Sequence, residues 1–494
     1  MASSKDKLHR KRRLLCLGLL LLLAVAVLLW QPWARRQPDW VLAASYGSLD
    51  TDLGPVENSL YSLDTDYGCL YDQRYTYADG TVFSSYELEL TEDIREQYVM
   101  TSLILTGHDL NVKYYDRTSG QWYGGDYPHG VTLGFGMCFI RVDDQELIVC
   151  LPQTYRRGEN STVELLPGQT GGLVCNRIPG GWRIKILSPV TSEGELVDYF
   201  LLQSGSPLID WELADAESRW AAFQFTGDNR WLRDGYYYIS PSSYIPSGEY
   251  VYYQLTAAYI ACKLADAGQT YPAGRYLGIA MLDTMCRRQN DEGWFPTPSG
   301  SAWLESYGVE PGFFDTRFNN DLVRALIVAY EHYGVERFLE VAKTYGDFLV
   351  DYAAANHDEY SGSGHSGWLV YDYKSEHSGK THTSLNHQTA EMTLLEELYQ
   401  LTGDERYLQT SQQLYQGIAA TEQLWRQADG DLAYGLLDGE IVGQDYPYLT
   451  YNDLYCYNKL QALRTGADDP LIVRLMDYKL AYMENHGITG YLKD

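Results

Sequence analysis

The chain has 494 residues, 45% of them apolar, and a formal net charge of −28. That length suits two or three packed domains, and that charge argues against nucleic acid or a long, highly sulfated polyanion as ligand. Tyrosine is over-used, with 44 Tyr against 12 Phe and 12 Trp; rings with a polar tip suit wet surfaces and sugar faces.

In chain order, a basic tail over 1–13 (Lys5, Lys7, Arg10, Lys11, Arg12 and Arg13) precedes an uncharged run. The stretch 14–33, ending at Trp30 and Trp33, is long enough to cross a bilayer. No small-residue cleavage site follows it closely, so it reads as an uncleaved transmembrane signal-anchor and not a signal peptide. The positive-inside rule then keeps the N-terminus cytoplasmic. The expectation is a single-pass membrane protein, its remainder extracytoplasmic, at a bacterial cell surface.

Residues 34–82 read as a linker and N-terminal extension. They contain an echo, Ser48-Leu49-Asp50-Thr51-Asp52 and Ser62-Leu63-Asp64-Thr65-Asp66. Alternating Asp can hold calcium, but the rest of a calcium loop is missing, and solvated turns are the default. No other cofactor or metal is expected. Seven cysteines follow the apolar run: Cys69, Cys138, Cys150, Cys175, Cys262, Cys286 and Cys456. They form no C-x-x-C pair, which argues against zinc; most read as small buried hydrophobes, with a Cys138–Cys150 or Cys150–Cys175 link left open.

Residues 83–228 read as β-rich. Short β-branched or aromatic runs such as Val99–Thr106, Gly172–Ile178 and Trp182–Leu187 are separated by Gly, Pro or Asp-Asp turns, suggesting a sandwich or barrel. Within 229–494 the period changes, and helices are expected over 248–267, 273–289, 317–333, 335–355, 384–401, 404–427, 448–464 and 468–485. Gly334, Gly403 and Gly466 stand where short helix-to-helix turns belong. The fold class expected is thus an α+β multidomain chain: a transmembrane anchor, a β-rich domain, and a C-terminal incomplete α/α toroid of the (α/α)4 type.

Such a toroid places function on the loops at one end, here 289–316, 356–383 and 428–447. The first offers Trp303, and the helix after it offers Arg317, whose guanidinium can hold a uronate carboxylate through paired hydrogen bonds, and Asn320. The second offers Tyr373, Lys374, Glu376 and His382, then Asn386, a mixture of acid, base and cation that suits proton transfer. The third offers Tyr434 and Tyr446, with Asn452 beyond. A tyrosine acting as a base needs its ordinary value near 10 lowered by a cation or donors.

Three segments resemble the C-terminal domain of the D-glucuronyl C5-epimerases, over about 290–485. Glu310-Pro311-Gly312-Phe313-Phe314 is similar to the family's Glu-Pro-Gly-aromatic-aromatic helix start. Ser384-Leu385-Asn386, with Leu398-Tyr399, resembles its Leu-Asn-Gly helix. Tyr434, then Asp445-Tyr446 and Asn452, resemble its Tyr-Asp-Leu strand and its Asp-Tyr-His element. The resemblance implies a β-rich part before an (α/α)4 domain, a homodimer, and a uronate-containing polysaccharide as partner. It also implies inversion at C5 by proton abstraction and re-addition, D-glucuronate to L-iduronate. Tyr434 and Tyr446 would be catalytic, with Glu376 and His382 in place of the family's Glu-Tyr-Pro, which is not matched. Arg317, Asn320, Trp303, Tyr373, Lys374, Asn386 and Asn452 would bind substrate. Two other classes fit the same loops. One is a polysaccharide lyase or a glycoside hydrolase with two opposed carboxylates drawn from Glu305, Glu310, Asp315 and Glu376. The other is a non-catalytic surface protein that binds polysaccharide through stacked rings.

Overall fold

The computed structural model describes residues 40–126, 131–133 and 136–493. The chain divides into two compact units, Met1–Leu42 and Ala43–Asp494; all that follows concerns the second. The predicted anchor at 14–33 lies outside the described residues. Among the described residues no helix is long and apolar enough to cross a membrane. The membrane-anchored fold class and the extracytoplasmic placement that rested on it are corrected accordingly.

The β-rich part is larger than expected. One sheet runs, in hydrogen-bonded order, through Val41–Thr51, Gly54–Thr65, Gly68–Tyr77, Val82–Leu90, Leu196–Ser204, Gln145–Arg157, Thr162–Thr170, Val251–Gln254, Gly235–Ile239 and Asn229–Leu232. Three of these strands lie in the stretch expected as linker, and three lie beyond residue 228. Their sequences hid them because inner-face positions are polar: Asn58, Asp72 and Gln73 are buried. Met137–Val142 also pairs with Gln145–Arg157 and leads off to Leu110–Asp116 and Gln121–Asp126, and a second sheet holds Val99–Thr106, Gly181–Leu187, Gly172–Ile178 and Val131–Leu133.

The two Asp-rich echoes are hairpin turns. Thr51 Oγ1 donates to the Gly54 carbonyl and Thr65 Oγ1 to the Gly68 carbonyl, both at 2.8 Å. Each threonine oxygen also accepts the backbone N–H two residues on, at 3.2 Å. The repeat is turn chemistry, and among the described residues no group of three His, Cys, Asp or Glu side chains is placed to hold a metal ion. Among the described residues no disulfide joins any of the seven cysteines.

A short helix, α1 (Ala216–Ala222), precedes the helical part. The longer helices are α2 (Tyr259–Ala267), α3 (Pro272–Cys286), α4 (Thr316–Tyr333), α5 (Glu336–Ala355), α6 (Leu385–Thr402), α7 (Glu405–Ala420), the single turn α8 (Glu422–Trp425), α9 (Leu449–Thr465) and α10 (Pro470–Asn485). The segment expected as one helix over 248–267 is strand first: Val251–Gln254 pairs on both sides, and α2 begins only after Ala258 turns left-handed at φ 46°. Helices α2, α4, α6 and α9 touch in sequence as an inner row, while α3, α5, α7 and α10 pack outside them. Gly334, Gly403 and Gly466 end α4, α6 and α9 at φ of 65°, 71° and 81°, a conformation glycine adopts without a Cβ penalty.

One continuous core joins strands and helices, from Phe83 and Phe200 through Leu277 to Leu326, Leu395 and Leu454. A polar rivet crosses it. Asp283 of α3, buried, accepts from Asn58 Nδ2 and Tyr75 hydroxyl of the sheet and from Arg287, each at 2.8 Å.

Candidate active site

All four inner helices begin at the same end. Short strands stitch the loops there: Asp315 pairs with Tyr373, and Thr383–Ser384 pairs with Gly435 and Leu436. The result is a cleft of about 610 Å³, a size that suits one or a few sugar rings. Tyr259, Arg317 and Phe318, Asn386 and His387, and Leu449 line it from the starts of α2, α4, α6 and α9; Trp303, Tyr373, Tyr434 and Tyr446 line it from the loops.

Of the predicted catalytic residues, Tyr434 and Tyr446 face the cleft together, their rings edge to face at 5.7 Å. Tyr434 is buried and Tyr446 half-exposed. The backbone carbonyl of Tyr446 is held by Lys479, whose buried ammonium lies 2.8 Å away and also ion-pairs with Asp431 and Asp445. His382 sits behind the wall, fully buried, with its ring 5.1 Å from Trp303 and 5.5 Å from Tyr434. Glu376 is placed elsewhere: it is exposed on a turn in which the Ser375 N–H donates to Ser378 Oγ at 2.9 Å.

Among the predicted binding residues, Arg317, Trp303, Tyr373 and Asn386 line the cleft. The Asn386 Oδ1 is buried and has no hydrogen-bond partner. Arg317 donates through Nε to Asp321 at 2.9 Å and through Nη1 to Asp453. Asn320 faces away into the helical core and accepts from Tyr345 at 2.9 Å. Lys374 reaches out to Asn356 at 2.9 Å, and the Asn452 side chain accepts from the Leu492 N–H at 2.8 Å; neither lines the cleft.

The sequence reading gave too little weight to the buried acids. Asp315 is the N-cap of α4, its carboxylate accepting from the Phe318 N–H at 3.0 Å. Burial, opposed by the backbone donors of that helix start, raises it to about 7. Burial also raises Asp453 to about 6 against the pull of Arg317. Behind them Glu391 of α6 is fully buried with neither carboxyl oxygen hydrogen-bonded. Thr316, which faces it, shares a hydrogen bond with His387 Nδ1 at 2.8 Å, and burial raises Glu391 to about 8. Asp372, accepting from the Ser384 N–H at 2.9 Å, is pushed up by burial as well. Burial lowers His382 to about 4 and also lowers His387.

These directions reassign the roles. Burial raises both Tyr446 and Tyr434, helped at Tyr446 by the charges of Asp315 and Asp372 and at Tyr434 by that of Asp372, so at neutral pH each is a proton donor and not a ready-made base. His382 is neutral there. The group that changes protonation near pH 7 while lining the cleft is Asp315. Its one sequence mark was the cap position, an aspartate immediately before a helix that begins Thr316-Arg317-Phe318.

No family model matches the chain, and no curated protein matches it. The resemblance to the C5-epimerases therefore stays one of short motifs. Among solved structures, a D-mannose isomerase is similar at 15% identity and a TM-score of 0.37, over 49% of this chain and 64% of that one. A family 76 glycoside hydrolase from a bovine Bacteroides thetaiotaomicron strain is similar at 11% identity and 0.38, over 82% and 75%. A cellobiose 2-epimerase from Bacillus thermoamylovorans is similar at 14% identity and 0.33, over 47% and 60%. The chain spans less than two thirds of the isomerase and of the epimerase. At these TM-scores no activity follows from the likeness.

Proposed function

We propose that this protein is a polysaccharide-modifying enzyme that moves a proton at a sugar ring carbon, in the specific form of a uronate C5-epimerase. The observation that carries the reading is Asp315: a buried carboxyl, poised near neutral pH, at the floor of an open cleft walled by Trp303, Tyr373, Tyr434 and Tyr446. A general base works best when its protonation changes near the working pH. In this reading the Asp315 carboxylate takes the C5 proton, and a tyrosine hydroxyl, Tyr446 or Tyr434, returns one to the opposite face. The second half restores both groups through solvent, which the half-exposed Tyr446 meets directly.

The C5 proton is acidic only while the neighbouring carboxylate is shielded. Arg317 is largely neutralised by Asp321 and Asp453, and Lys374 and Lys380 point elsewhere, the latter to Asp358 and Asp438. What remains is the convergence of four inner-helix N-termini on the cleft, each favouring negative charge by about 0.3–1 kcal/mol, together with the unused donors of Arg317. This supports an acidic sugar bound as a carboxylate whose enediolate-like intermediate is stabilised in place. A hydrolase has its own support: burial raises Asp315, which lines the cleft, to about 7 and Asp453, paired with Arg317, to about 6, so two carboxyls are poised for acid and base work.

Incubating the protein with uronate and neutral polysaccharides in D2O separates these. Loss of the C5 proton signal with new iduronate-type resonances supports the epimerase. New reducing ends point to the hydrolase, and vinyl signals to a lyase. Intact polymer with no deuterium uptake in any case removes the proton-transfer reading.

A further inference from the structure

The sheet carries a second cleft, of about 460 Å³, that shares no lining residue with the first. Its wall is an aromatic corner. Trp122 and Trp211 meet edge to face at 5.2 Å, and Phe139 closes the corner at 5.7 and 5.2 Å from them. Both indoles are only partly buried. The Lys113 ammonium stands over the Trp211 ring at 4.3 Å and the Trp122 ring at 5.3 Å, tethered to Glu217 at 2.7 Å. It has no other protein acceptor among the described residues. Arg141 lines the same cleft, ion-paired with Glu146 and donating through Nη2 to the Ile209 carbonyl at 3.4 Å.

Glu146, the buried acid below, spends its second oxygen on the Leu208 and Ile209 N–H groups at 2.7 and 3.3 Å, and so fixes the loop that carries Trp211. On a chain of net charge −28, Lys113 and Arg141, each already paired with one carboxylate of the cleft, keep unshared N–H donors beside two half-open indoles and so form a local site for a ligand with an apolar face and an acidic edge. A sugar ring meets that description, with C–H groups for an indole and a carboxylate and hydroxyls for an ammonium and a guanidinium. We infer that this cleft is an accessory binding site for an acidic saccharide, holding the polymer on the sheet while the cleft at the helix ends works on it. The inference rests on the polysaccharide reading above.

The test is equilibrium binding to the full chain of two probes, a hexasaccharide of alternating glucuronate and N-acetylglucosamine, and cellohexaose, followed by tryptophan fluorescence and calorimetry. Lys113→Met and Trp211→Phe are compared with Trp303→Ala in the other cleft, with circular dichroism confirming that each folds. The expected result is acidic hexasaccharide binding that falls by about tenfold in Lys113→Met, the loss of one charged hydrogen bond, and falls also in Trp211→Phe. Wild-type affinity in Lys113→Met, with loss confined to Trp303→Ala, overturns the accessory site and leaves the catalytic reading standing. Preference for cellohexaose overturns the acidic assignment. Absence of binding by either probe also overturns the site, and the D2O exchange experiment then decides separately on the catalytic cleft.

Discussion

Asp315→Asn isolates the proton-transferring carboxyl. Asparagine keeps an oxygen for the Phe318 N–H, so the cap on α4 survives. What is lost is titration. An aspartate raised from 3.8 to about 7 on folding binds more protons in the folded state than in the unfolded one. Its contribution is therefore intact at low pH and is lost as pH rises through 7. The gap amounts to roughly 4 kcal/mol in full, of which roughly 3 kcal/mol falls between pH 5 and pH 8. Urea unfolding of wild type and variant at those two pH values reads the difference directly, since the other buried acids titrate in both. The variant should gain roughly 3 kcal/mol on wild type at pH 8 relative to pH 5, while deuterium exchange into substrate drops by about 10²–10⁴-fold. A wild-type-to-variant difference that is equal at both pH values, or exchange at the wild-type rate, refutes the role given to Asp315.

Tyr446→Phe removes a half-exposed hydroxyl and no packing, so exchange should fall by about 10²-fold or more with the melting temperature unchanged; wild-type turnover would remove Tyr446 from the reaction. Arg317→Met leaves Asp321 and Asp453 facing each other in a buried setting and should cost about 3–5 kcal/mol in chemical unfolding. Lys479→Met strips Asp431 and Asp445 of their buried cation; a comparable loss of about 3–5 kcal/mol is expected, with reduced exchange because the Tyr446 backbone is released. Glu391→Gln should match wild-type stability below about pH 4, where the carboxyl is protonated in both folded and unfolded chains, and should gain on wild type as pH rises toward 8, by roughly 3 kcal/mol at pH 7. A large loss at pH 7 would show that Glu391 is ionised there.

The helical half was legible because its signal is periodic and local. Apolar spacing predicted helices over 317–333 and 335–355, and they are found as Thr316–Tyr333 and Glu336–Ala355. The strands at 54–77 were not legible, because a sheet face that buries Asn58, Asp72 and Gln73 against a helix-borne Asp283 has no alternating apolar pattern to read. Within the site, Tyr434, Tyr446, Trp303 and Arg317 were reachable from loop composition, since the loops do meet at one end. Glu376, exposed on a turn, and Lys374, exposed on the strand Tyr373–Lys374, were named by the same logic but do not line the cleft, a matter of side-chain direction that composition does not encode. Asp315 shows the opposite failure. The cap on the Phe318 N–H is local and could be read, but the burial that raises the carboxyl does not exist until the loops before α4 and α6 are stitched together.

Deuterium exchange at C5 is the most direct measurement of the central claim. The protein would be incubated in D2O with an alternating glucuronate polymer and followed by proton NMR, beside Asp315→Asn. The account predicts loss of the C5 proton signal and growth of iduronate-type resonances with wild type, and neither with the variant. Exchange that persists in Asp315→Asn, or a wild-type protein that leaves the C5 proton of every uronate polymer in place, would contradict it.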